Sequence, residues 1–145
     1  MPDASPSPQS SQTATDLQSF AVECARLAHD LRCEDVVVLD VRDLSQVTRF
    51  VVIGTGTSDR QIRSVAKDIL DLGGEHGHDA FRTNIERSTT WAIVDFVDVT
   101  VHLFEANTRA FYDLESLWGE APHVPWARSE GERGAGPGRD SRTTA

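Results

Sequence analysis

The chain is poor in cysteine and in long apolar runs. Its two cysteines, Cys24 and Cys33, are too few and too closely spaced for a disulfide framework, and no zinc-site spacing accompanies them. No apolar run approaches the roughly 20 residues that cross a bilayer. The first residues lack the basic and apolar regions of a signal peptide. We therefore expect a protein without disulfides or membrane spans that works in a reducing cytoplasm.

Positive charge is also scarce. Lysine and arginine total 14 against 23 aspartates and glutamates, which gives a formal net charge of −9. An acidic domain repels phosphate backbones, so direct binding to nucleic acid is not expected. The same charge suits a basic protein partner, although it serves solubility alone equally well.

Both ends of the chain carry little apolar surface. Residues 1–15 are mostly Ser, Pro, Thr and Gln, and residues 119–145 are rich in Gly, Arg and Ser. Such segments bury too little surface to offset the entropy of ordering. Both are predicted to be disordered tails around one domain at residues 16–118. Trimming to residues 16–126 should leave stability unchanged, and Trp126 is the tail residue best suited to pack on the domain.

The apolar pattern between the tails alternates between helical and strand periods. It predicts one α/β (α+β) domain with the order α-β-β-α-β-β-α around a mixed sheet. Helices are expected at 16–32, from 58 to the Gly73-Gly74 pair, and at 108–118. Strands are expected at 36–41, 47–54, 91–96 and 99–104, with a short extended piece at 80–83.

Two helix starts carry the signature of a capping box, in which Ser or Thr is followed three residues later by Glu or Gln. The first pairs Thr15 with Gln18, and the second pairs Ser58 with Gln61. On the first helix, Cys24 falls on the apolar stripe and is expected to be a small core residue.

The passage Gly54-Thr55-Gly56-Thr57-Ser58, between a strand and a helix, first indicates a phosphate cradle, because free N–H groups at helix N-termini bind anions. The dinucleotide fingerprint needs a third glycine where this chain has Asp59, and a P-loop needs a lysine where Lys67 lies in mid-helix. A tight turn closed by a capping residue explains the segment better. A nucleotide-binding or nucleotidyltransferase-like enzyme is kept as the alternative function.

The acidic and histidine side chains do not form a convincing metal site. Asp95 and Asp98 straddle a predicted turn, whereas a two-magnesium site needs closely paired carboxylates. His76 and His78, with Asp79, lie in a polar Gly-rich loop with no fourth ligand nearby in sequence. We predict no catalytic residue, no metal and no cofactor.

The last two strands carry the strongest aromatic signal. Alternation places Thr100, His102 and Phe104 on one face, opposite the apolar residues that should meet the helices. This face is more aromatic than an ordinary solvent face, which indicates a binding surface. Burial of Phe104 in the core is an equal alternative. On the last helix, Tyr112 and Glu115 are three residues apart and are expected to share a face.

Residues 91–118, WAIVDFVDVTVHLFEANTRAFYDLESLW, contain most of a family pattern. The matching residues are Trp91, Asp95, Asp98, Val99, Val101, His102, Phe104, Arg109, Tyr112, Leu114, Glu115, Leu117 and Trp118. Residues 50–61, FVVIGTGTSDRQ, match a second signature. Over residues 17–118 the chain thereby resembles the ribosomal silencing factor family, also called Iojap-like.

This resemblance implies a nucleotidyltransferase-like fold without the catalytic carboxylates, and a function that is not enzymatic. Members bind the large ribosomal subunit through its basic protein fourteen, which blocks joining of the small subunit and represses translation. An adaptor in large-subunit assembly that never represses translation, and a homodimer off the ribosome, are the alternatives kept open. The expected partner-binding residues are Trp91, Asp95, Asp98, His102, Phe104, Arg109, Tyr112, Glu115 and Trp118.

Some positions depart from the family pattern. An aspartate is replaced by Arg49, a Glu-Gly pair by Asn84-Ile85, a glycine by Val97, and an acidic residue by Asn107. The predicted fold tolerates these changes, and their effect falls on the contacts with the partner.

Overall fold

The computed structural model describes residues 8–128, with side chains from Ala14 onward. Its elements, in chain order, are α1 (Pro8–Asp30), β1 (Glu34–Asp40), β2 (Phe50–Gly56), α2 (Asp59–Glu75), β3 (Arg82–Asn84), β4 (Trp91–Asp95), β5 (Val99–Glu105), α3 (Ala106–Tyr112) and a 3₁₀ helix, Leu114–Trp118. Within these residues, no helix is both long and apolar enough to span a membrane.

The strands form one five-stranded mixed sheet in the order β1-β2-β5-β4-β3. The central pair, β2 and β5, is parallel, and the other three pairs are antiparallel. Every residue of β2 is buried, as expected for a continuous apolar run at the centre of a sheet. The predicted α+β domain around a mixed sheet is confirmed.

One face of the sheet, called the inner face here, packs against α1 and α2. Helical spacing turns Phe20, Cys24 and Ala28 of α1 and Ile62 and Ile69 of α2 toward the sheet, and all are at most 2% exposed. Cys24 is thus a core residue, as predicted, and burial raises the pKa of its thiol well above the usual range. This thiol therefore stays protonated and unreactive at neutral pH.

The opposite, outer face is covered over only part of its width. Its cluster of buried apolar residues comprises Leu39, Val41, Val51, Ile53, Phe104 and Ala121. Partly buried Leu114 and Trp118 of the 3₁₀ helix pack against this cluster. On the outer face, the β4 residues Trp91, Ile93 and Asp95 are only partly buried, so a functional surface is sought there.

The first helix is longer than predicted. It begins at Pro8 and not at Asp16, because residues 8–15 contain nothing that stops a helix and proline is well tolerated at the first helical position. Thr15 therefore lies inside the helix, and its predicted capping box is wrong. At α2 the Ser58 cap is confirmed, since Ser58 Oγ accepts the Gln61 N–H at 3.1 Å.

The second helix continues through the Gly73-Gly74 pair to Glu75, and its last carbonyls are met by the backbone N–H of His76. The predicted stop at the two glycines is therefore wrong by one residue. Gly73 is buried against Phe96, where a Cβ would lie 2.4 Å from the phenylalanine ring. This glycine is required by close packing and not by a helix end.

The last predicted helix, residues 108–118, is two elements. Asp113 adopts a left-handed conformation (φ 47°, ψ 51°), and its N–H caps α3 on the Arg109 carbonyl. Aspartate tolerates this conformation better than most residues, and Ser116 Oγ donates to its carboxylate. Tyr112 and Glu115 therefore do not share a helix face, contrary to the prediction.

The segment after Trp118 is packed on the domain as far as Arg128, so the predicted disordered tail at 119–145 is wrong for residues 119–128. Ala121 and Val124 are 6% and 7% exposed. The Val124 N–H donates to the Val38 carbonyl at 2.8 Å, beside an isolated antiparallel bridge between Leu39 and His123. The segment thereby covers the free edge of β1. The rest of both predicted tails lies outside the described residues.

Candidate functional site

Aromatic side chains from β4, β5 and α3 meet at one end of the outer face. Trp91 is the centre of this aromatic cluster, with its ring 4.8 Å from that of Phe104 and 4.9 Å from that of Tyr112. Phe111 meets Tyr112 edge to face at 5.0 Å. The register pairs Trp91 directly with Phe104 across the β4–β5 ladder, which explains why the two rings stack.

The aromatic cluster runs from a buried base to an exposed rim. Phe104 is fully buried, Trp91 and His102 are half-buried, and Tyr112 and Phe111 are 55% and 79% exposed. Leu117, on the neighbouring 3₁₀ helix, is 70% exposed. Phe104 therefore supports the surface from beneath and is not itself exposed. Large apolar side chains exposed together are typical of a protein-binding surface.

Phe111 was not among the predicted binding residues. The helix expected at 108–118 ends at Tyr112, and the Phe111 side chain is exposed. The adjacent aromatic pair Phe111-Tyr112 was the available signal, since an i, i+1 pair cannot point to one side of a helix.

Arg109 is a structural clamp. Its guanidinium forms a two-pronged pair with Glu115, at 3.1 Å and 2.8 Å. It also donates to the Asp35 carbonyl and to Thr55 Oγ1, both at 2.8 Å. Its side chain is only 12% exposed. Arg109 and Glu115 thus tie α3 and the 3₁₀ helix to β1 and β2, and Glu115 is already neutralised by its own chain.

Asp95 and Asp98 lie at the far end of the β4–β5 hairpin from Trp91. Asp95 lies four positions along β4 from Trp91, a distance of about 13 Å in a strand. Asp95 accepts the Val97 N–H and pairs with Arg82 at 3.4 Å, while Asp98 pairs with Arg49 at 3.5 Å. Turn capping and pairing with arginine account for both carboxylates.

Among the described residues, the remaining predicted sites do not form a catalytic or ligand-binding arrangement. Trp118 is half-buried against the outer cluster. In the glycine loop, the Thr57 N–H is taken by Gln61 Oε1 at 2.7 Å, and a Cβ at Gly56 would meet Ile62. The loop is therefore closed by its own chain. Across the described part of the chain, no three His, Cys, Asp or Glu side chains are grouped so as to hold a metal ion.

His102 is neutral in the folded protein. Its Nδ1 accepts the Trp91 indole N–H at 3.1 Å, which places its single proton on Nε2. Burial lowers the pKa of His102 to about 4, and the Asp95 carboxylate, on β4, raises it slightly against that effect. The residues opposite it on β2 and β4 are Ile53 and Ile93, which bring no charge.

This pKa predicts a loss of stability in mild acid. The unfolded chain takes up a proton at His102 below pH about 6.5, while the folded chain resists until pH about 4. Stability from this residue is therefore complete above pH 6.5 and falls as the pH approaches 4. Between pH 7.5 and pH 5 the loss should be about 2 kcal/mol.

Urea denaturation at both pH values measures this loss. The variant His102→Asn lacks the titrating ring, so its stability should fall by about 2 kcal/mol less than that of the parent. Equal losses in the parent and in His102→Asn would show that titratable groups other than His102 account for the acid sensitivity.

Comparison with known proteins identifies the family. A family model described as "Ribosomal silencing factor during starvation" matches residues 13–145. The chain is 37% identical to the ribosomal silencing factor RsfS of Bacillus subtilis over 98 residues, which cover 68% of this chain and 83% of that protein. It is 38% identical over 106 residues to the chloroplastic protein Iojap of Zea mays, which covers 73% of this chain and 46% of that protein.

Solved structures agree with these matches. A crystal structure of a protein from Chromobacterium violaceum is similar with a TM-score of 0.65 at 30% identity, over 72% of this chain and 85% of that one. One from Bacillus halodurans gives a TM-score of 0.62 at 31% identity, over 77% of this chain and 98% of that one. The sequence and the fold lead to the same family, and the chain belongs to the ribosomal silencing factors.

Proposed function

We propose that this protein binds the large ribosomal subunit in the cytoplasm through the aromatic cluster and its exposed rim. By occupying the subunit it keeps the small subunit from joining and represses translation. The partner on the subunit is its basic protein fourteen. The observation that supports this most is the exposed pair Phe111 and Tyr112, backed by the stacked rings of Trp91 and Phe104.

The rigidity of this surface favours binding. The Trp91 ring contacts the rings of Phe104 and Tyr112, and its backbone N–H and carbonyl both bond to the Thr89 hydroxyl, at 3.2 Å and 3.0 Å. Aromatic side chains fixed before binding lose little conformational entropy when a partner arrives. They are therefore suited to act as anchors, with Phe111 and Tyr112 entering recesses on the partner.

Acidic charge supplies the second part of the recognition. Asp95, Asp98 and Glu115 have arginine partners within the chain. Among the residues that the structure describes, Glu105 and Asp113 make no such pair, and they flank α3 at its two ends. We assign to these two carboxylates the contact with basic side chains of the partner. The net charge of −9 should further speed encounter at low salt.

A nucleotide-binding enzyme is the less favoured function. The glycine loop offers its Thr57 N–H to Gln61, and the helix start carries Asp59 where a phosphate would lie. An adaptor in subunit assembly would use the same surface as a silencing factor. Mixing purified subunits with the protein separates the two functions, since only a silencing factor lowers the yield of joined ribosomes.

The variant Tyr112→Ala should weaken binding to large subunits by about 1–2 kcal/mol, which is roughly five- to thirtyfold. The loss follows from removing a half-exposed ring that rests on Trp91. Interferometry with immobilised protein and purified large subunits measures the affinity, and circular dichroism confirms folding.

Phe81→Ala is the matched control, because Phe81 is also an exposed aromatic residue, at 71%. It lies beside Asp95, at the opposite end of β4 from Trp91, since its N–H donates to the Asp95 carbonyl. Its affinity should equal that of the parent. If Tyr112→Ala binds as well as Phe81→Ala, the aromatic cluster is not the contact surface.

A further inference from the structure

The side chain of His102 lies beneath the rim of the aromatic cluster, and its Nδ1 is 3.1 Å from the Trp91 indole nitrogen. We propose that His102 is a positioning residue, which fixes the orientation of the Trp91 ring for the partner and does not itself contact the partner. This inference rests on the proposed function of the same surface.

Three contacts restrain the Trp91 ring, and they differ in what they fix. Phe104 stacks on one side at 4.8 Å with an interplanar angle of 29°, and Tyr112 lies at 4.9 Å with an angle of 43°. Ring contacts of this kind tolerate rotation and sliding. The hydrogen bond to His102 is directional and defines which edge of the indole points inward.

The geometry also accounts for the choice of histidine at this position. A half-buried indole N–H needs an acceptor, because an unsatisfied donor is costly there. The acceptor has to come from the residue diagonal to Trp91 on β5, since the directly opposite position is Phe104. A neutral imidazole offers an acceptor on a flat ring, which can also stack: the rings of His102 and Phe104 lie 6.2 Å apart at 14°.

Removing the acceptor should loosen Trp91 without unfolding the domain. In His102→Leu the indole has no partner, so the fraction of molecules with the ring in the binding orientation falls, and the apparent affinity falls with it. Binding to large subunits should weaken by about three- to tenfold. His102→Asn retains an oxygen acceptor close to the position of Nδ1, and it should restore most of the affinity.

A double-mutant cycle distinguishes positioning from direct contact. Trp91→Phe keeps an aromatic ring but has no indole N–H. In that background His102→Leu should cost no further affinity, because there is nothing left to position. A loss as large as in the parent background would show that His102 touches the partner, and it would overturn the inference.

A second measurement needs no ribosome. In the free protein, the nitrogen-bound indole proton of Trp91, assigned by comparison with Trp91→Phe, should exchange with water faster in His102→Leu than in the parent or in His102→Asn. The indole proton of Trp126, which donates to the Val36 carbonyl at 2.9 Å, is the internal control and should not change. Unchanged exchange at Trp91 would overturn the inference. Failure of the parent to bind large subunits would instead overturn the proposed function and leave this result standing.

Discussion

Ending the chain at Trp118 is expected to destabilise the domain by roughly 3–5 kcal/mol, whereas ending it at Arg128 leaves the described contacts intact. The first truncation removes Ala121 and Val124 from the apolar clusters of both sheet faces. It also removes the half-buried Trp126, whose indole donates to the Val36 carbonyl at 2.9 Å.

Hydrogen bonds to the edge of β1 are lost as well. The Asp40 N–H would lose the Pro122 carbonyl at 2.9 Å, and the Val38 carbonyl would lose the Val124 N–H at 2.8 Å. On α1, Arg26 would lose the Trp126 carbonyl at 2.7 Å. Each such bond contributes about 0.5–1.5 kcal/mol, so these contacts and the apolar burial together make this the largest expected effect.

Chemical denaturation of chains that end at residues 118, 126 and 128 measures the effect. The chain ending at 126 keeps Trp126 and loses the Arg128–Asp30 pair, in which the two side chains are 2.8 Å apart and partly exposed, so it should lie within about 1 kcal/mol of the longest. If the chain ending at 118 is as stable as the one ending at 128, the segment contributes nothing to stability and the predicted boundary at Trp118 is right.

Gly73→Ala should destabilise the domain by about 2–3 kcal/mol, while Gly74→Ala should stabilise it by about 0.5–1 kcal/mol. A Cβ at Gly73 would lie 2.4 Å and 2.7 Å from ring atoms of Phe96 and 2.8 Å from the His78 backbone oxygen. Because the ring is buried and the oxygen belongs to the backbone, neither group can shift easily to make room for the added carbon. At Gly74 no atom lies within 4 Å of the added carbon.

The two variants make the same chemical change in neighbouring positions of one helix, so their difference isolates the steric term. Thermal and urea denaturation of the pair measure it. A loss of stability in both variants would indicate that the end of α2 needs glycine for its backbone conformation, and that packing against Phe96 is not the cause.

The sequence predicted the elements that carry their own periodicity. The apolar spacing in α2 and the alternation in β4 and β5 are local, and so is the Ser58 cap. The break at Asp113 was missed, because one residue in a left-handed conformation leaves the apolar spacing of residues 108–118 unchanged. The packing of residues 119–128 was missed because their contacts, such as that of Trp126 with Val36, join positions far apart in the chain.

The structure brings two of the predicted binding residues, Trp91 and Tyr112, into contact. It also gives the predicted acidic residues partners within the chain. The sequence could not show that Glu115 pairs with Arg109, or that Asp98 pairs with Arg49, since both pairs depend on how the chain turns. The second pair involves one departure from the family pattern, since Arg49 stands where the family has an aspartate.

Another departure from the family pattern lies in the β4–β5 hairpin. Val97 has a φ of 75°, a backbone conformation in which a β-branched side chain is strained and glycine is not. The Asp95 carboxylate accepts its N–H at 2.7 Å and holds the turn nonetheless.

The parallel pairing of β2 with β5 has a kinetic consequence. The β1–β2 pair and the β3–β4–β5 meander are each built from neighbours in sequence, but the join between them brings Phe50 to Val99. Such distant contacts slow folding. During synthesis at about 5–20 residues per second, β2 waits roughly 2–10 seconds for its partner strand to be made. Throughout that interval one edge of β2 is unpaired and open to aggregation, while α1, which is made earlier, is available to cover the inner face of the strand.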